Sequence, residues 1–138
     1  LIKQVFDDLP LDANSSSDWG YDDIRDEVDC VFFDESVKDL QGLTSLSYML
    51  SGMENANDIR GVKYLDVSDV TNLDGTFSNY GSSSTGFKFT LDLSSWDLSS
   101  VSSFTDTFLD AGKEASSWKV IIPEKSSGKE NSEDKCNN

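Results

Sequence analysis

Apolar residues recur along this chain in two rhythms. One has the spacing i, i+3, i+7 and occurs three times, as Leu43, Leu46 and Leu50, as Val70, Leu73 and Phe77, and as Val101, Phe104 and Phe108. That is the stripe of a two-turn helix with one buried face. The other rhythm has period two. In GFKFTLDL, Phe87, Phe89, Leu91 and Leu93 alternate with Lys88, Thr90 and Asp92, the signature of a half-buried strand. Comparable strands are predicted in CVFFD (30–34), VKYLDV (62–67) and WKVII (118–122). At the front, LIKQVFDDL sets Leu1, Ile2, Val5, Phe6 and Leu9 along one helical side, and Pro10 ends the run. Such a helix would shield the first repeat.

The helical stripes begin 27 and then 31 residues apart, at Leu43, Val70 and Val101, with a predicted strand between them. A repeat of this length predicts a solenoid, in which each unit buries its apolar face against the next. The expected organisation is an N-terminal cap with an acidic connector (1–29), a repeat solenoid (30–123) and a polar tail or linker (124–138).

The wording of the repeats is itself informative. LDLSSWDLSSVSSFTDTF (91–108) and the shorter LDVSDVTNLDGTF (65–77) resemble the BspA-type leucine-rich repeats of bacterial surface proteins, also found in some protists. The resemblance extends over about residues 30–123. It implies an α/β fold, a short right-handed solenoid of alternating strands and short helices. It also implies a cell-surface location and binding to host or neighbouring-cell proteins without catalysis.

Charge narrows the partners. The chain holds 26 acidic and 11 basic residues, a net charge of -15, with 12 acids and 3 bases in residues 1–40 alone. Nucleic acid and anionic membranes would be repelled, while a basic protein would be attracted. No run of about 18 apolar residues is present to cross a membrane as a helix. The sequence starts at Leu1 rather than Met, which fits a processed product. Cys30 and Cys136 are the two cysteines; they are either free thiols or a disulfide between the tail and the front of the domain, which would imply an oxidising compartment. There is no CxxC and no histidine, so the usual zinc sites, the Ser-His-Asp triad and the Cys-His dyad are excluded. No catalytic residue, cofactor or metal site is assigned. DANSSSDWGYDD (12–23) offers oxygen ligands at Asp12, Asn14, Ser16, Asp18 and Asp23, but Ser17 stands where a calcium loop needs Gly. It reads as a solvated connector, with Asn14 in a glycosylation acceptor sequence.

Aligning the predicted strands puts Phe33, Leu65, Leu91 and Ile122 in an inward column. Phe32, Tyr64, Thr90 and Ile121 then face out, with Asp34, Asp66 and Asp92 beside them. Two readings of the Asp column stay open. Together with Lys88 and the outward residues, it could form a strip that meets Lys or Arg on a partner. Alternatively, each Asp accepts hydrogen bonds from the turn that follows it. The candidate partner-binding set is Phe32, Tyr64, Asp66, Lys88, Thr90, Asp92 and Ile121. The function expected from all this is a non-catalytic, extracellular or cell-surface module that binds or adheres to a protein ligand through its strand face. The alternative is an acidic intracellular inhibitor or immunity-type protein that covers a basic surface.

Overall fold

A computed structural model of the chain describes residues 3–6, Trp19 and 22–123. Among the described residues five short strands carry the regular structure: β1 (Lys3–Phe6), β2 (Cys30–Phe33), β3 (Asp58–Arg60), β4 (Lys88–Asp92) and β5 (Ser117–Ile121). All pairings are parallel. They form a three-stranded sheet, β1-β2-β3, and a separate two-stranded sheet, β4-β5. Three 3-10 segments connect them, at Asp22–Glu27, Glu35–Asp39 and Val62–Tyr64. Among the described residues there is no α-helix.

The leucine-rich-repeat solenoid of strands and short helices is therefore not the fold. The predicted helical cap is wrong at its centre, where Lys3–Phe6 is a strand that pairs with β2 from Lys3↔Cys30 to Phe6↔Phe33. A strand edge with free main-chain groups is satisfied by another strand more directly than by a helix. VKYLDV is also misassigned: Val62–Tyr64 is a 3-10 turn, and the strand lies earlier at Asp58–Arg60. Gly61, left-handed at φ 82, ends that strand.

The three stripes become turns instead of helices for a reason written in the backbone. Tyr48, Gly75 and Asp106 occupy the same place in their repeats, five residues after Leu43, Val70 and Val101, and all have φ near +60 (57, 62 and 56). Four residues later Gly52, Asn79 and Asp110 are left-handed as well. A left-handed residue at every fourth position breaks the α-helical hydrogen-bond ladder. Glycine, asparagine and aspartate adopt this geometry at least cost. The chain instead makes successive i to i+3 turns, such as Thr76 N–H to Leu73 O (3.2 Å) and Tyr80 N–H to Phe77 O (3.0 Å).

The remaining amides bond between copies. N–H groups of Leu46, Tyr48, Leu50 and Gly52 donate to the carbonyls of Asn72, Asp74, Thr76 and Ser78 at 2.8–3.0 Å. Those of Leu73, Gly75, Phe77 and Asn79 donate in turn to Ser103, Thr105, Thr107 and Leu109. The parallel bridges Ser45↔Asn72 and Asn72↔Ser103 have the same 27- and 31-residue offsets as the stripes. The repeat in the sequence is thus a repeat in space, built from turns. Buried threonines reinforce it: Thr76 Oγ1 lies 3.0 Å from Leu46 O, and Thr107 Oγ1 lies 3.0 Å from Leu73 O.

Within this stack the first two stripes are buried throughout, from Leu43 to Phe77, alongside Val31, Phe33, Leu65 and Leu91. The rings of Phe77 and Phe108 stack at 5.4 Å with 3° between their planes, and Trp96 lies 6.3 Å from Phe77. Trp96 is buried, with its indole N–H donated to Val62 O at 2.9 Å. The third stripe differs: Phe104 is 69% exposed.

Candidate functional site

The best-formed element of the outer face is β4. Its alternation is complete, with Phe89 and Leu91 buried and Lys88, Thr90 and Asp92 exposed. Parallel pairing sets Lys88 beside Ser117, Thr90 beside Lys119 and Asp92 beside Ile121. Four predicted partner-binding residues, Lys88, Thr90, Asp92 and Ile121, therefore share one strand pair. The expected column of Thr90 with Ile121 and Leu91 with Ile122 is two residues out of register, because Leu91 lies opposite Val120. Ile122, expected in the core, is 65% exposed.

The other candidates lie across a break in the sheet. β3 and β4 are not paired to each other. The buried Tyr80 instead donates its hydroxyl to Asp58 O at 2.6 Å, satisfying a carbonyl at the edge of β3. Burial pushes the Tyr80 phenol far above its ordinary pKa, with the Asp58 charge adding to the effect, so it acts only as a neutral donor. A cavity of about 120 Å³ lies over this break, lined by Asn57–Ile59, Tyr80 and Lys88–Thr90. A larger one of about 310 Å³ runs between Gly61–Lys63 and Asp92, Ser94 and Ser95. Tyr64 stands half-buried after Lys63, whose Nζ lies 5.3 Å from the tyrosine ring centroid. Phe32 is half-buried in β2 opposite Arg60, on the far side of the break from β4.

The aspartates resolve in favour of the turn. In four Asp-x-Ser segments the carboxylate accepts the serine N–H two residues on: Asp34 from Ser36 (3.0 Å), Asp66 from Ser68 (3.0 Å), Asp92 from Ser94 (2.9 Å) and Asp97 from Ser99 (3.0 Å). The hydroxyl of the same serine first, and then its N–H, hold all four carboxyls below the usual pKa of 3.8 by hydrogen bonding. For Asp92, the Lys119 charge adds a smaller effect in the same direction. Asp66 and Asp92 remain exposed and keep accepting capacity for a partner.

Cys30 is a free, half-buried thiol in β2, while Cys136 and the 12–18 part of the acidic connector lie outside the described residues. Among the described residues no group of three or more acidic or cysteine side chains is placed to hold a metal ion. No described helix is long and apolar enough to cross a membrane.

A family model described as a Mycoplasma protein of unknown function, DUF285, matches residues 29–128. The chain belongs to the DUF285 family. This replaces the BspA-type leucine-rich-repeat resemblance, whose wording the repeats share without its helices. The DUF285 match begins just before β2 and runs past β5, so it covers β2 to β5 and all three copies of the turn ladder and leaves out β1. No curated protein and no solved structure matches the chain.

Two features of this DUF285 chain escaped the sequence. Trp19 and Arg25 reach the first copy of the turn ladder: Trp19 Nε1 donates to Ser47 O (2.8 Å), and Arg25 Nη1 donates to Met49 O (3.1 Å) and Ser51 O (2.6 Å). Trp19 is buried although it sits in a polar connector, and a lone tryptophan there was the available signal. At the opposite end, Phe104, Leu109, Trp118 and Ile122 are each at least half exposed.

Proposed function

We propose that this DUF285 chain is a non-catalytic module that binds another protein through the outer face of β4 and β5 and the groove beside it. The observation that carries this reading is the juxtaposition at β4. Lys88, Thr90 and Asp92 stand exposed in a row on a paired strand, next to Lys119 and Ile121, and Asp92 also forms one wall of the 310 Å³ groove whose other wall includes Lys63. Charged, polar and apolar contacts are thus offered together on a preformed surface. With a net charge of -15, the chain favours a basic ligand and fast association with it.

A photo-reactive residue placed at Thr90, compared with one at exposed Glu35, tests the site in material from the native source. The expected result is a discrete protein adduct from position 90 that disappears when Lys88, Asp92 and Ile121 are all changed to alanine. Equal labelling from both positions, or an adduct indifferent to the alanines, would rule out this face.

An extracellular setting is part of the same proposal. Intact mass of native protein, with and without reduction and alkylation, tests it: a disulfide formed between the Cys30 thiol of β2 and Cys136 supports an oxidising compartment, and two free thiols count against it.

A further inference from the structure

The turn ladder is closed at one end and open at the other. At the first copy, the outward carbonyls of Ser47, Met49 and Ser51 already accept from Trp19 and Arg25. At the third copy, the N–H groups of Phe104, Asp106, Phe108 and Asp110 occupy the places of Leu73, Gly75, Phe77 and Asn79, which bond to the next copy. Among the described residues these four have no acceptor. The outer edge of β5 likewise pairs with no described strand. The apolar side chains that a further copy would cover stand in water, with Phe104 69%, Ile122 65%, Leu109 50% and Trp118 50% exposed. Unmet donors in a row beside exposed apolar area mark a surface made to receive main chain.

Several occupants are excluded by what the chain contains. Residues 124–138 hold no aliphatic or aromatic side chain in any register of the stripe spacing. They cannot bury Phe104 and Trp118. A second copy arriving head-to-tail finds three of its four ladder carbonyls, those of Ser47, Met49 and Ser51, taken by Trp19 and Arg25, and brings another -15 of charge. Two copies meeting end to end would face donors with donors. Acids outnumber bases around the end itself, with Asp106, Asp110 and Glu114 against Lys113 and Lys119.

We propose that this open end binds a basic, apolar polypeptide segment of a partner protein. The segment adds one further course to the stack. Its carbonyls accept from Phe104, Asp106, Phe108 and Asp110, its main chain pairs with β5, and its apolar side chains cover Phe104, Leu109, Trp118 and Ile122. The inference rests on the reading that the chain binds protein, but places the contact on a different surface from the β4–β5 face.

The probe is a synthetic peptide of residues 101–121 carrying Asp106→Asn, Asp110→Asn and Glu114→Lys. It keeps the stripe and strand, puts Asn where Asn79 already adopts the left-handed conformation, and is positively charged. Amide hydrogen exchange is followed by NMR in the labelled full chain with unlabelled peptide. The expected result is that the four open amides exchange at least about tenfold more slowly at saturating peptide. Phe104→Asp should abolish this effect and Thr90→Ala should leave it intact. No slowing at saturating peptide overturns the inference. Slowing lost in Thr90→Ala and kept in Phe104→Asp also overturns it, while leaving the β4–β5 reading in place. Slow exchange in the dilute free chain would mean that the chain covers its own end. Slowing that grows with the concentration of the chain alone would mean that a second copy does. Either result overturns a partner segment.

Discussion

Gly75 shows how much of this fold is decided by single residues. It is left-handed at φ 62, and a Cβ there would collide with the ring of Tyr48, which rests on it from the preceding copy. Gly75→Ala is expected to cost about 1–3 kcal/mol in urea unfolding, from backbone strain and the displaced ring together. One residue on, Thr76 is buried with its hydroxyl between Leu46 O and Leu73 O. Thr76→Val keeps the shape and removes the donor, so a loss of about 1–2 kcal/mol is expected by the same measurement. The Asp-x-Ser turns give the acid limb. Their folded-state pKa values lie below 3.8, so the contribution of each carboxylate is complete above that value and is lost as pH falls through it toward the folded-state value. A chain carrying Asp66→Asn, Asp92→Asn and Asp97→Asn retains the turn acceptors without the titration. Its unfolding midpoint should fall less steeply than that of the parent below about pH 4.

At the scale of elements, strand content was readable where the alternation was strong and the helices were not. GFKFTLDL and CVFFD yield β4 and β2 because a half-buried strand sorts its side chains by parity. The stripes at i, i+3 and i+7 were real, and the first two are buried. What the pattern could not carry was the destination of the backbone N–H groups. A two-turn helix and a row of i to i+3 turns present nearly the same apolar positions, and only the recurring left-handed residues separate them. Gly75, Asn79, Asp106 and Asp110 hinted at this; Tyr48 in the same conformation did not. The candidate site was partly legible for the same reason. Lys88, Thr90 and Asp92 follow from parity, whereas Tyr64 was assigned to a strand that is a 3-10 turn. The side-chain caps were invisible because they act over 24–28 residues. Arg25→Ala should lower stability by about 1–3 kcal/mol through the carbonyls it leaves, and should loosen the amides of the first copy before those of the second.

At the scale of the whole molecule, the described residues build a stack of turns with unequal ends. Side chains close its first copy, aromatic rings run through its middle, and its last copy presents donors and apolar area outward. Two small parallel sheets flank the stack, and Tyr80 fills the place between them where strand pairing stops. This arrangement leaves an exposed outer face at β4–β5 and, separately, an end with unmet donors and exposed apolar side chains. Both depend on the inter-copy ladder being formed in the middle and unfilled at the end. Site-resolved hydrogen exchange on the dilute free chain tests that directly. Slow exchange is expected at Leu73, Gly75, Phe77 and Asn79, and fast exchange at the equivalent Phe104, Asp106, Phe108 and Asp110. Fast exchange at the first four, or equal protection in both sets, would contradict it.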